Sequence, residues 1–153
     1  MRSRLVIFGV TVALLGITVR AYQFVLEWRF LARNANFPIL ASSSFALLQI
    51  AFILCFVVCA TGLLIRNRGG LILSTFGLLG LFVCHIAWHA YTNRSLRVFE
   101  NEPFYALHPE YIPPHLFGLV GAKWWDIVIL FCSVILFIWE LKALTVAPSA
   151  KSR

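Results

Sequence analysis

The stretch ALLQIAFILCFVVCATGLLI, residues 46–65, decides the fold, because it runs for twenty residues without a charged side chain. A helix of this length rises about 30 Å, which matches the hydrocarbon thickness of a bilayer. Gln49 is the one strongly polar side chain within the stretch. The stretch therefore predicts a transmembrane helix, which we place at about residues 37–65.

Three further segments of the chain have the same apolar character. They predict helices at about residues 5–30, 70–91 and 119–141, so that the whole chain forms one all-α domain, a four-helix transmembrane bundle. The composition agrees, since 61% of the residues are hydrophobic and 12% are charged. A soluble domain has about 25% charged residues. The sequence thus indicates a multi-pass integral membrane protein.

The first apolar segment also resembles a secretory signal peptide. Arg2 and Arg4 precede an apolar run of 15 residues, which is the arrangement of such a leader. The sequence Val19-Arg20-Ala21 makes a poor cleavage site, however, because arginine occupies its middle position. We therefore expect residues 5–30 to form a lasting helix in which the Arg20 side chain extends towards the membrane interface.

The connection between the last two helices, residues 92–118, is long and rich in aromatic residues and proline. Its prolines exclude a long helix across it; they are Pro103, Pro109, Pro113 and Pro114. A long connection with this many apolar side chains is expected to lie on the membrane surface or over the bundle rather than in water. We therefore predict one long extramembrane loop.

The basic residues give the chain a net charge of +7, but they do not form a patch. Ten of the thirteen occur in pairs at the ends of the apolar runs: Arg2/Arg4, Arg29/Arg33, Arg66/Arg68, Arg94/Arg97 and Lys151/Arg153. Cations in these positions mark membrane edges, whereas phosphate binding needs cations clustered on one face. The pattern argues against nucleic acid as a partner. A small excess of cations on the side of the two termini favours cytoplasmic termini in a plasma (inner) membrane.

The cysteines indicate packing rather than thiol chemistry. All four lie within apolar runs and none forms a C-x-x-C pair; they are Cys55, Cys59, Cys84 and Cys132. A membrane thiol–disulfide oxidoreductase needs two neighbouring sulfur atoms. The sequence also lacks a glycine-rich nucleotide loop and a G-x-S-x-G nucleophile motif, so it favours a protein that is not an enzyme.

A stripe on the first helix combines small and polar residues at alternating steps of four and three, which places them on one face. Its members are Gly9, Ala13, Gly16, Arg20, Gln23 and Glu27. The small residues predict a seam of close helix packing, and helices 2 and 3 contain similar small residues. The polar intramembrane face of Arg20, Gln23 and Glu27 is a candidate substrate or proton pathway, because ionisable groups in spans are functional candidates.

All four histidines fall on the side of the long loop. His85 and His89 are four residues apart on helix 3, a spacing at which two imidazoles can share a metal ion. With His108 and His115 from the loop they form a candidate metal site, and haem is a further possible cofactor. The other interpretation is an ordinary aromatic belt, since all four tyrosines and four of the five tryptophans share this side.

These observations favour a non-enzymatic accessory or assembly subunit of a larger membrane protein complex, with the lipid bilayer and other membrane subunits as partners. The alternative is a redox subunit that binds a metal or haem through His85, His89 and the loop histidines. A second alternative is a small membrane carrier gated near Arg20 and Glu27.

Overall fold

Four long helices make up most of the chain in this computed structural model. The structure describes residues 2–33, 42–65, 67–101, 103, 107–108 and 120–145. The helices are α1 (Arg2–Arg33), α2 (Ser42–Leu64), α3 (Arg68–Asn101) and α4 (Val120–Thr145). Each is long and apolar enough to cross a bilayer, which confirms the predicted all-α transmembrane bundle.

The helices form a ring in which each packs against its neighbours in sequence, and α1 closes the ring against α4. Within the described ranges, the backbones of the diagonal pairs, α1 with α3 and α2 with α4, do not approach closely. Neighbouring helices are antiparallel, since Gly9 of α1 lies against Leu63 of α2, and Gly16 lies against Phe56. This order brings the long-loop ends of all four helices to the same side of the membrane.

Glycines determine how closely α2 approaches its neighbours. A Cβ atom on Gly77 would lie 2.8 Å from the backbone nitrogen of Cys59, and one on Gly62 would overlap the backbone of Ser74. On α1, a Cβ atom on Gly16 would overlap the ring of Phe56. The predicted seams of small residues therefore lie along the contact lines of α1, α2 and α3, where close approach strengthens packing in lipid.

A tight turn joins α2 to α3 around Asn67. The side-chain oxygen of Asn67 accepts a hydrogen bond from the Gly70 backbone N–H at 2.7 Å, which is the contact of a helix N-cap. The backbone N–H of Asn67 donates to the carbonyl of Ile65, also at 2.7 Å. These two bonds satisfy polar groups that the ends of both helices leave free.

The third helix continues to Asn101, ten residues beyond its predicted end at residue 91. Part of the predicted 92–118 loop is therefore helical, and residues 103 and 107 within it are helical as well. Residues 92–101, TNRSLRVFEN, contain neither glycine nor proline, so nothing in them ends a helix. The predicted end at residue 91 was placed where the sequence stops being apolar, which marks the edge of the membrane and not the end of the helix. The predicted start of α2 at residue 37 lies outside the described residues.

The centre of the bundle is filled by large apolar side chains that are almost fully buried. They are Phe52, Phe56, Leu78, Leu81, Ile129 and Leu136. The buried residues described on α4 form one stripe, Ile129, Ser133, Leu136 and Glu140, and Phe137 and Trp139 are half-buried beside it. Most of the circumference of α4 is therefore apolar and exposed on the outside of the bundle.

Candidate functional site

Two clusters of buried polar side chains lie in the described part of the bundle, one in each half of the membrane. The Arg20 cluster, on the side of the long loop, consists of Arg20, Gln23, Gln49, His85 and Asp126. The Glu140 cluster, in the other half, consists of Cys59, Ser74, Thr75 and Glu140. Gly9 lies close to the level of the second cluster, so the two clusters are separated by about 16 Å along α1.

Arg20 is the centre of the first cluster, and only 1% of its side chain is exposed. Its Nη2 atom lies 3.1 Å from Oδ1 of Asp126, so α1 and α4 are joined by an ion pair. Its Nη1 atom donates a hydrogen bond of 3.0 Å to Oε1 of Gln23 on the next turn of the same helix. A buried guanidinium needs such a counter-ion, because an isolated charge in this interior is very costly.

The guanidinium also lies against aromatic rings from the other two helices. Its Cζ atom is 3.8 Å from the centroid of the Phe52 ring on α2 and 5.5 Å from that of Trp88 on α3. Both distances are within the range of attraction between a cation and an aromatic ring. A single side chain on α1 therefore contacts all three other helices at one level of the bundle.

The four histidines of the predicted metal site are in different surroundings. His85 is buried, and its ring meets that of Phe52 edge-on, with centroids 5.0 Å apart. His89 is exposed and His108 is half-buried, whereas His115 lies outside the described residues. Among the described residues, no three histidine, cysteine, aspartate or glutamate side chains are grouped closely enough to hold a metal ion. The four-histidine metal or haem site therefore stays a prediction.

Several atoms of the Arg20 cluster are buried without a hydrogen-bond partner among the described residues. Gln49 is 0% exposed, and neither its Nε2 nor its Oε1 atom is paired. The same holds for Nε and Nη2 of Arg20 and for Oδ1 of Asp126, whose close approach to Nη2 lacks hydrogen-bond geometry. Each buried polar group left in this way costs about 1–3 kcal/mol.

Gln49 lies at the same level as Gln23. Because α1 and α2 are antiparallel and Arg20 lies on Phe52, a step of three residues along each helix brings Gln23 opposite Gln49. Both positions are one turn closer to the long loop than the ring of Phe52. The unpaired atoms of the cluster are therefore gathered within about one helical turn of each other.

The polar face predicted on α1 lies largely inside the bundle. Arg20 and Glu27 are buried, and Gln23 is half-buried between them in sequence. The sequence reasoning missed Asp126 as the counter-ion of Arg20. The signal was present, since Asp126 is the one acid near the start of the fourth span and antiparallel packing brings that end level with Arg20.

The Glu140 cluster joins α2, α3 and α4 by hydrogen bonds. The Ser74 hydroxyl donates to Oε1 of Glu140 at 2.5 Å, and the Thr75 hydroxyl donates to Oε2 at 3.0 Å. The Cys59 sulfur lies 3.3 Å from the same Ser74 hydroxyl. Both carboxyl oxygens of the fully buried Glu140 are thus satisfied. No role had been assigned to Glu140 from the sequence.

An apolar layer separates the two clusters. Along α2, α3 and α4, the large side chains between them are nearly fully buried: Phe56 on α2, Leu78 and Leu81 on α3, and Leu136 on α4. These side chains belong to one continuous hydrophobic core. The described interior therefore contains no chain of polar groups from one cluster to the other.

No protein-family model, curated protein or solved structure matches this chain.

Proposed function

We propose that this chain is a non-enzymatic accessory or assembly subunit of a larger membrane protein complex. The observation that supports this function best is the use of polar groups in the spans. Arg20 contacts all three other helices, and Glu140 ties α4 to α3. Polar side chains in such positions hold a bundle together, which is the requirement of a structural component.

The apolar layer weighs against the alternative of a small carrier. A carrier needs a polar site that is reached in turn from both faces of the membrane. In this bundle Phe56, Leu78 and Leu136 fill the interior below the Arg20 cluster. Passage of a solute through the bundle would require the whole core to open, and the packing of these side chains would be lost.

The outer surface of α4 is suited to contact with other membrane subunits. Its outward positions are large and apolar, and Phe131, for example, is 66% exposed. A helix that uses one narrow stripe within its own chain leaves the rest of its surface for lipid or for a partner helix. We place the complex in the plasma (inner) membrane, with both termini of this chain in the cytoplasm.

Photo-crosslinking in native membranes tests this proposal. A photoreactive phenylalanine analogue at Phe131 faces outward, whereas the same analogue at Phe137 is a matched control, because that ring packs against Phe82 with centroids 5.6 Å apart. We expect position 131, and not position 137, to give a discrete adduct with another membrane protein. That protein should also co-purify with the unmodified chain in mild detergent.

Two results would contradict the proposal. The first is a chain that consistently emerges alone from native membranes and gives only lipid adducts at position 131. The second is loss of transport of a small solute in an Arg20→Ala variant that still accumulates as folded protein, because this would favour the carrier.

A further inference from the structure

Two exposed cations flank the junction between α1 and α4 at the membrane surface opposite the long loop. Near this surface the junction is closed by Phe8 of α1 and Trp139 of α4, whose ring centroids are 6.3 Å apart. Arg4 precedes Phe8 by four residues and Lys142 follows Trp139 by three, so each cation lies on the same helix face as the neighbouring ring. Because α1 and α4 are antiparallel, both cations lie about one turn beyond the rings in the same direction.

The register of the bundle places both cations at the level of the lipid headgroups. Gly9 lies against Leu63, close to the end of the uncharged stretch of α2, and also against Leu136 of α4. Arg4 is five residues beyond Gly9, a rise of about 7 Å, and Lys142 is six residues beyond Leu136, a rise of about 9 Å. Both side chains are exposed, so they reach the boundary between hydrocarbon and water.

The sequence near this surface contains almost no acid that could balance the two cations. Residues 1–19, 50–84 and 130–153 contain seven arginine and lysine residues and one acid, Glu140. Glu140 is fully buried, and both of its carboxyl oxygens already accept hydrogen bonds from hydroxyl groups of α3. Two like charges therefore lie on adjacent helices, and an anion between them replaces their repulsion with two attractions.

The adjoining surface is suited to the rest of a phospholipid. Trp139 is half-buried at the edge of the bundle, in the kind of position where an indole ring lies among lipid headgroups. One turn towards the membrane centre on the same face of α4, Ile135 is 40% exposed. The corresponding position on α1 is Thr11, whose hydroxyl donates to the carbonyl of Ile7 in its own helix. A headgroup beside the cations is therefore continuous with a surface against which acyl chains can pack.

We propose that Arg4 and Lys142, together called the Arg4–Lys142 site, bind the phosphate of an anionic phospholipid. The guanidinium of Arg4 can donate two hydrogen bonds to phosphate oxygens, and the ammonium of Lys142 acts as a point charge. A zwitterionic lipid has the same phosphate, but its headgroup also has a positive charge that the two cations repel. The site thus retains an anionic lipid at the junction of α1 and α4. This role goes beyond that of an assembly subunit and does not depend on it.

Native mass spectrometry of the purified full-length chain tests the site. The chain in mild detergent is titrated with phosphatidylglycerol or with phosphatidylcholine of identical acyl chains, and the one-to-one adduct is quantified. We expect phosphatidylglycerol to bind at least about tenfold more tightly, because two cations at a membrane surface attract an anionic headgroup by this factor or more. The preference should weaken as salt is added. Inorganic phosphate at the concentration of the lipid should not displace it, because phosphate has no acyl chains.

The decisive variant combines Arg4→Gln with Lys142→Gln. Both side chains are exposed, so the variant should fold with parental helix content. We expect it to bind the two lipids with nearly equal affinity. Arg29→Gln is the matched control, because Arg29 is an exposed cation on the same helix near the opposite membrane surface. This control should keep the parental preference for phosphatidylglycerol.

Two outcomes would overturn the lipid site. One is equal affinity of the parent chain for the two lipids. The other is a preference that changes to the same extent in the double variant and in Arg29→Gln, which would mean that net charge alone attracts the lipid. The crosslinking result at Phe131 is a separate measurement, because that residue lies eleven residues from Lys142, about 16 Å deeper along α4. Failure of the lipid site and failure of the assembly role are therefore distinguishable.

Discussion

Replacing Asp126 with leucine leaves the guanidinium of Arg20 without its counter-ion in an interior where only 1% of the arginine side chain is exposed. Removing one partner of a buried ion pair costs about 3–5 kcal/mol, because the other charge stays buried and uncompensated. We expect Asp126→Leu to reduce the free energy of unfolding by an amount near this range. The phenylalanine and tryptophan rings beside Arg20 offset only about 1–2 kcal/mol of the cost.

Replacing Arg20 instead of Asp126 should destabilise the bundle less. In Arg20→Met the orphaned group is the carboxyl of Asp126, which is 15% exposed and closer to water. We expect a loss of about 1–3 kcal/mol, the cost of a buried polar group without its partner. The double variant, Arg20→Met with Asp126→Leu, removes both charges. It should regain most of the stability, since replacing a buried ion pair with apolar side chains of similar size is often neutral or better.

The parent chain, the two single variants and the double variant form a double-mutant cycle. Their free energies of unfolding are measured by titration with sodium dodecyl sulfate in mixed micelles, with far-ultraviolet circular dichroism as the signal. Arg29→Met is the matched control, because Arg29 is exposed on the same helix and its loss should change stability by less than about 0.5 kcal/mol. The reasoning is refuted if the double variant is as unstable as the sum of the single ones. Additivity would mean that the two side chains are not energetically coupled.

Three further changes test other parts of the bundle by the same unfolding measurement. Gly77→Ala should reduce the free energy of unfolding by about 1–3 kcal/mol, because the new Cβ would lie 2.8 Å from the Cys59 nitrogen. Gly69→Ala is the control and should not destabilise the bundle, since its Cβ would meet only Asn67 Oδ1 at 3.4 Å. Equal losses of stability in the two variants would contradict the close approach of α2 and α3. Glu140→Leu should cost about 1–3 kcal/mol, chiefly because the Ser74 hydroxyl loses its acceptor, whereas the Thr75 hydroxyl keeps the Leu71 carbonyl at 2.9 Å. Adding Ser74→Ala should recover part of this loss, and no recovery would argue against the hydrogen bond. Asn67→Ala should cost about 1 kcal/mol through the lost N-cap of α3, and an unchanged unfolding curve would show that the cap does not contribute.

The apolar runs alone were enough to predict the four spans, because the length of an apolar run along the sequence determines whether its helix can cross the bilayer. The stripe on α1 likewise predicted which face of that helix contains Arg20 and Glu27, since helical periodicity fixes direction around the axis. The end of α3 was not predictable from apolar character, because a helix can continue beyond the membrane, and residues 92–101 contain neither glycine nor proline to stop it.

The partners of the polar residues were harder to predict. Arg20 and Asp126 are level only if α1 and α4 are adjacent, and that depends on the order of the helices around the ring. The unpaired state of Gln49 depends on which side chains fill the space around it, which packing determines and periodicity does not. The position of each residue along the membrane normal therefore follows from its own segment of sequence, whereas the contacts between helices depend on how the four helices are arranged in the ring.

The contact between Arg20 and Asp126 has a consequence for biogenesis. The acid follows the arginine by 106 residues, since 126 − 20 = 106. At the usual speed of ribosomes, of about 5–20 residues per second, roughly 5–20 s pass before the counter-charge has been synthesised. During that interval the nascent first helix has a lone cation that favours the headgroup region over the hydrocarbon. We therefore expect α1 to reach its final depth only after Asp126 of α4 has been inserted beside it.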